Sequence, residues 1–465
     1  MDAAYALVKN LTDVKYDDIP QDVVEITKKQ ILDILGVALG GSSRPGVKEL
    51  ADIIGEWDGK EESTVFCFGH RVPAPNAAQV NATMGHALDY DDTGDGPTHP
   101  SVVIVPTALA MAERQGKITG RELIASVALG TDMMCRLGRA FRSGLKTVPV
   151  GGHPGAGWHL TALYGYLAAA GVAGKLMGLD EDKLINALGI AYHQCSGNGQ
   201  CVTEGALTKR MGPGFSARGG IVAALMAEKG ITGAKECLEG EVGLFNLYHR
   251  GEYDPVPLTK DLGKDFAGTS AAMKPYPCCK GTHNFVDAAL SLVEKYNIEP
   301  EDISEITVFC KDAESFLVHP LEKRSRPENP VDSQFSIPWA VAAVFARGRA
   351  GIGEFTEEAI ESPDILDVSS KIRVEADAGM QRAKGMDLAK IGVTTKRGRV
   401  YTEHAGDDPE DSGKSPPFSA YERKFRDCAA YSVKPFPETR ISEIITLVSR
   451  LEQLDDVGQV IELLS

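Results

Sequence analysis

Sixteen residues carry most of the chemistry in this chain: His86-Ala-Leu-Asp89-Tyr-Asp91-Asp92-Thr93-Gly-Asp95-Gly-Pro-Thr98-His99-Pro100-Ser101. They hold four carboxylates, two threonine hydroxyls and two imidazoles. The segment lacks helical or strand periodicity, and folding gains little from crowding like charges. Such a density of proton-transfer groups on a loop points to function. Three chemistries compete for it. Asp89, Asp91, Thr93 and Gly94 fit positions one, three, five and six of a calcium loop. Position twelve, where a bidentate Glu belongs, is Pro100. Asp89-x-Asp91-x-Thr93 also fits the DxDxT pattern of phosphoryl-transfer enzymes. That chemistry needs its first Asp at the end of a buried strand, and Asn81–Leu88 shows no strand-like alternation. The third chemistry is acid/base catalysis on a carboxylic acid. Pro100 restricts the backbone of His99 to extended conformations, and an imidazole fixed near carboxylates is suited to proton transfer near neutral pH.

Further segments support the third chemistry. Gly157-Trp158-His159-Leu-Thr-Ala places a second histidine after a glycine and an aromatic. Thr208-Lys209-Arg210-Met-Gly212-Pro-Gly214-Phe-Ser-Ala-Arg218-Gly carries paired cations into a small-residue helix. Lys274-Pro-Tyr-Pro-Cys278-Cys279-Lys280-Gly-Thr-His283 and Asp332-Ser-Gln-Phe-Ser-Ile-Pro-Trp follow. Together with His86-x-x-Asp-x-Asp-Asp-Thr and Thr-His-Pro-Ser, these segments resemble, in order and spacing, the motifs of the MmgE/PrpD family over nearly the whole chain.

The resemblance implies a fold, a class of reaction and a set of residues. The fold is mainly α: a large all-helical domain with an inserted, smaller α/β lid domain, forming a homodimer. The reactions are dehydration, decarboxylation or epimerisation of small polycarboxylates, with no metal and no other cofactor. In each, a proton leaves or joins a carbon beside a carboxylate, and the extra negative charge needs preorganised cations. His99 is then the general acid/base. His159 is a proton donor or a ligand to a substrate carboxylate. Asp89 orients a histidine, and Thr93 hydrogen-bonds the substrate or that Asp. Asp91 and Asp92 are solvated or cap a helix. Lys209 and Lys274 clamp carboxylates as point charges, with Arg210 and Lys280 assisting. His283 caps the following helix, and Gly212 and Gly214 form a turn. Two positions depart from the decarboxylating members of the family. Cys279 stands where those carry a histidine, and no tyrosine occurs in Ser315-Phe-Leu-Val-His319. The expected reaction is therefore dehydration of a citrate-like acid, ahead of epimerisation of an amino- or imino-dicarboxylate or a cis-aconitate-type decarboxylation. A DxDxT phosphatase and a non-enzymatic helical scaffold are the remote alternatives.

The rest of the chain must position these groups. Its 465 residues suffice for two or three domains. With 65 acidic against 49 basic side chains the net charge is −16, which argues against nucleic-acid or anionic-membrane partners and leaves a small anionic substrate. The start shows no signal-peptide pattern, no apolar run is long enough to span a membrane, and the nine cysteines form no CxxC pair. A reducing cytoplasm is the expected compartment. Residues 1–266 read as helical, with Thr119-Gly-Arg-Glu122 forming a capping box. Residues 267–404 read as the α/β lid, with strand patterns at 303–310, 371–375, 391–395 and 399–402 and a hairpin at Lys396-Arg-Gly398. Residues 405–465 open on a solvated linker and return to the helical domain.

Overall fold

The computed structural model describes residues 1–94, 96, 98–144, 157–377, 379–380, 382–383, 386–406 and 415–465. Asp95 and most of the linker at 406–417 lie outside them. The fold is mainly α with a smaller α/β part. Two large apolar clusters organise it. One joins residues between Ala3 and Phe266 with residues between Tyr421 and Leu464, and the other is built chiefly from Cys278 to Val393.

The helical cluster is centred on Leu160–Leu176, a helix buried almost all round. Its Ala- and Gly-rich sequence is what permits this. Gly220 of the helix Thr208–Glu228 lies so close that a Cβ would sit 2.6 Å from the backbone nitrogen of Ala170. Small residues thus bring two helices close together along their length. The helix Gly120–Gly144 begins with the expected capping box: Thr119 N donates to Glu122 Oε2 (2.9 Å), and Glu122 N donates to Thr119 Oγ1 (3.2 Å).

The α/β part has a four-stranded sheet. Ile372–Ala376 runs parallel to Ile303–Cys310, which pairs antiparallel with Ala389–Thr395, which pairs antiparallel with Val400–Ala405. The hairpin lies at the expected turn. Ile306, Val308, Ile391 and Val393 are fully buried, and the helices His283–Tyr296 and Ile337–Arg347 pack into the same cluster. Val400–Ala405 is an edge strand whose alternate residues are exposed.

The chain then returns to the helical cluster. Phe418–Ala429 packs on Gln21–Gly41, with Phe425 fully buried against Gly36. Gly120 N donates to Leu454 O (2.9 Å). Among the described residues, no helix is long and apolar enough to cross a membrane. The return contact is testable at Gly120, where an added Cβ would lie 1.6 Å from the Leu451 carbonyl oxygen. Gly120→Ala should therefore lower stability by about 1–3 kcal/mol, the usual cost of overpacking, as read by urea denaturation. Wild-type stability would show that the C-terminal segment is not seated there.

Candidate active site

The acidic segment is a loop between two helices, and it folds against three distant parts of the chain. His86 is the last residue of the helix Ala74–His86, and the next helix begins at Ser101. Asp89 adopts a left-handed conformation (φ 49°), which turns the chain sharply. Thr93 and Ala272 exchange backbone hydrogen bonds of 2.9 Å each way, and His99 N donates to Thr161 Oγ1 (3.0 Å). The loop is therefore tied both to the segment that carries Lys274 and to the start of the helix Leu160–Leu176.

Asp89 is the hub. One carboxylate oxygen accepts a hydrogen bond from Lys209 Nζ. The other accepts from Lys274 Nζ at 2.6 Å, and Lys274 also donates to the Asp89 carbonyl at 2.7 Å. All three side chains are nearly or fully buried. Burial alone would raise the Asp89 pKa, but the two ammonium charges outweigh it and hold the carboxyl well below its ordinary range. Burial works against the Lys274 charge, yet Asp89 and Asp91 raise its pKa. Lys209 also lies 5.0 Å from the centre of the Phe335 ring, which comes from the α/β part.

Three imidazoles stand beside this cluster. His99 Nδ1 lies 2.7 Å from the Asp92 carbonyl. A carbonyl only accepts, so Nδ1 carries the hydrogen and Nε2 the lone pair. Burial lowers the His99 pKa to about 3, against the opposing charge of Asp91. The unliganded imidazole is thus neutral at physiological pH. His86 Nδ1 is 2.7 Å from Asp91 Oδ2, which is itself 3.5 Å from His99 Nδ1. The His86 ring is 5.1 Å from that of His99 and stacks at 5.5 Å on His159, the residue that opens the helix Leu160–Leu176.

Donor atoms of His86, Asp91 and His99 lie within 4.8 Å of one another, a spacing that could hold a cation. The buried ammonium groups of Lys209 and Lys274, whose charges bear on His86, oppose a cation there.

The structure brings Asp89, Lys209, Lys274, His99 and His159 together around one loop. Several expectations need correction. Asp91 and Asp92 are not solvated but buried. Asp92 does serve the helix start, accepting from Ser101 N (3.2 Å) and Ser101 Oγ (2.5 Å). Gly212 and Gly214 form no turn; they lie inside the helix Thr208–Glu228. A Cβ on Gly212 would sit 2.7 Å from His159 Nδ1, so this glycine makes room for the imidazole. Among the described residues, Thr93 Oγ1 makes no hydrogen bond to Asp89 or to any other group.

Arg210 is buried but donates to the Pro45 carbonyl (2.9 Å), so it clamps a loop and acts on Asp89 only through its charge. His283 does not cap its helix: it is the first helical residue, after Thr282 at the N-cap, and its Nε2 lies 3.1 Å from the Cys278 carbonyl. Lys280 is half-buried and bears on His283. Cys279 donates its backbone N–H to the Gln334 carbonyl (2.8 Å), and burial raises its thiol pKa, with the charges of Asp89, Lys274 and Lys209 also acting on it. His319 faces solvent.

Three groups around the loop carry no role in the sequence reading. His86 and Asp91 are visible there only as part of the motif. Lys424, from the C-terminal return, donates to the Tyr90 carbonyl (2.7 Å), pairs with Asp33 (2.7 Å) and lies 3.9 Å from the centre of the Tyr90 ring. A lone lysine 335 residues downstream of Asp89 has no local pattern that could announce it.

A mainly helical fold with a smaller α/β part, and a loop of histidines and aspartates closed by two lysines, define a distinct class of protein. The chain belongs to the MmgE/PrpD family: the MmgE/PrpD N-terminal domain matches residues 6–255 and the C-terminal domain residues 276–450. It is similar to cis-aconitate decarboxylase of Aspergillus terreus, at 27% identity over 97% of this chain and 93% of that protein. It is also similar to the cis-aconitate decarboxylases of Homo sapiens, at 26% over 97% and 92%, and Mus musculus, at 25% over 97% and 91%.

Burial pushes Asp92 up to about 7, against the lowering effect of its Ser101 hydrogen bonds. The native state then binds this proton more tightly than the unfolded chain, so the Asp92 contribution to stability falls as pH rises from about 4 to about 7. Asp92→Asn keeps an acceptor for Ser101 N–H and removes the titration. The unfolding free energy of wild type relative to Asp92→Asn should therefore decline across that window in urea melts. A constant difference would mean that Asp92 does not titrate there.

Proposed function

We propose that this protein is a carboxylic-acid lyase that works on a small di- or tricarboxylate through its own side chains, and that its reaction is decarboxylation of a cis-aconitate-like acid. The observation that carries this reading is the Asp89 carboxylate held between Lys209 and Lys274 beside His99 and His159. A carboxylate is already the preferred guest of the two ammonium groups. Each lysine has three donors, and Asp89 takes one hydrogen bond from Lys209 and two from Lys274. Both retain donors for a substrate carboxylate.

Decarboxylation leaves an electron pair on the carbon that lost CO₂. Fixed cations stabilise that charge in a dry pocket, and an imidazolium delivers the proton. A polyanion bound beside His99 raises the basicity of the ring, so the substrate itself helps to arm the acid. Similarity to cis-aconitate decarboxylases supports reading this reaction ahead of dehydration. One observation keeps dehydration as the second reading: unliganded His99 is a neutral imidazole with a lone pair at Nε2, the form a proton-abstracting base needs.

Proton NMR in D₂O with citrate-, aconitate- and aspartate-derived acids tests the proposal. Cis-aconitate is expected to lose CO₂ and take up one solvent deuteron. Water loss from a citrate-like acid would select the second reading, and no exchange with any acid would overturn both. His99→Ala should lower kcat by about 10²–10⁴-fold, the usual contribution of a positioned acid/base. Lys209→Met should raise KM and lower kcat together.

A further inference from the structure

His86 is fully buried, and no part of the proposed reaction uses it. Its ring sits between the two imidazoles that the reaction does use, edge-on to His99 (5.1 Å, 66°) and stacked on His159 (5.5 Å, 21°). Its Nδ1 is bound to Asp91 Oδ2 at 2.7 Å, and the same oxygen is 3.5 Å from His99 Nδ1. His86 Nε2 and Asp91 Oδ1 are buried with no hydrogen-bond partner among the described residues. Leaving such groups unpaired in the interior is destabilising. A side chain needed only to fill this space would be better apolar.

We propose that His86 and Asp91 are a positioning pair: His86 orients the Asp91 carboxylate toward His99 and sets the spacing of the His99 and His159 rings. This rests on the acid/base reading of His99. Burial raises the Asp91 pKa, and the charges of His99, Lys274 and Lys209 oppose that rise; as a carboxylate, Asp91 favours the protonated form of His99, so the pair governs how readily that ring takes a proton. The groups that face His99 are Asp89 and Asp91 on its own loop, His86 from the helix Ala74–His86, and Lys274 from the segment that pairs with Thr93. His159 lies beyond His86, and the charges of Lys209 and Arg210 reach His86 from the helix Thr208–Glu228. Of these, only Asp91 is bound through one oxygen to one imidazole and directed at the next. His86 touches no reacting atom in this scheme and acts through its neighbours.

Three variants separate its contacts. His86→Phe keeps a ring against His159 and loses the bond to Asp91. His86→Asn keeps a donor near the Nδ1 position and loses the stack. Asp91→Asn removes the charge with little change of shape. His86→Phe is expected to lower kcat about 10–100-fold with KM changed less than about threefold, the mark of misplaced groups rather than lost binding. His86→Asn should retain more of kcat than His86→Phe. Asp91→Asn should move whichever limb of the kcat–pH profile His99 sets to lower pH, by about one unit, because the carboxylate that favours the imidazolium is gone.

A readout without substrate is the downfield Nδ1–H proton signals of His86 and His99 in ¹⁵N-histidine-labelled protein at neutral pH. Asp91→Asn should abolish or shift the His86 signal, and His86→Phe should shift that of His99. If His86→Phe and Asp91→Asn change only thermal stability, leaving the His99 signal and the pH profile in place, the pair is packing and the proposal fails. If the wild-type protein turns over none of the acids, the decarboxylase reading fails, yet the NMR signals still decide the positioning role. Should His86→Phe not fold, His86→Asn and Asp91→Asn carry the same test.

Discussion

The pairing of Asp89 with Lys209 and Lys274 is the constraint on which the rest of this protein depends. Burying three charges is costly, and their mutual attraction offsets that cost only when the geometry is good. Here the geometry is made by segments far apart in sequence. Asp89 comes from a loop, Lys209 from the first turn of a small-residue helix, and Lys274 from the segment that leads into the α/β part. None of these segments can shift without leaving a charge unpaired in the interior. The ionic cluster therefore fixes the loop, the helix and the start of the α/β part relative to one another.

The loop needs further ties because a chain crowded with aspartates has little reason to fold on its own. Hydrogen bonds and ion pairs supply them. Asp92 is bound to the start of the next helix, Thr93 to Ala272, the His99 backbone to Thr161, and the Tyr90 carbonyl to Lys424. Lys424 also explains why the C-terminal helices return to the first cluster after the α/β part. They deliver one cation to the residue beside Asp89 and cover Asp33, whose pKa burial raises and Lys424 opposes.

Much of this was legible in the sequence, and the physical reasons differ by residue. The helices and the hairpin announced themselves through periodicity, capping at Thr119–Glu122 and the Lys396-Arg-Gly398 turn, all of which are local signals. Asp89 and His99 stood out through the density of ionisable groups and the His-Pro pair, whereas the roles of Lys209 and Lys274 were legible only through resemblance, because their meeting with the loop is set by tertiary structure. The expectation of solvent around Asp91 and Asp92, overturned by their burial, has a general cause. Charged residues are expected in water, and sequence alone cannot reveal that His86 and Ser101 stand ready to bind them. Gly212 was read as a turn because small residues often make one; its service to His159 depends on two helices meeting. Lys424 carried no signal at all.

The charge balance also bears on how such a site selects its substrate. Two ammonium groups face Asp89, with Asp91 beside His99 and neutral imidazoles around them. A monocarboxylate adds a single negative charge and raises the basicity of His99 least. A di- or trianion would leave an excess of negative charge in a low-dielectric space, where it is relieved most cheaply by protonating a nearby imidazole. Binding and activation would then be one electrostatic event, and an acid with a single carboxylate could fill the pocket without arming it. The neutral, strongly depressed histidines of the unliganded protein are the resting condition such coupling requires, since a ring that was already charged would have no proton to gain.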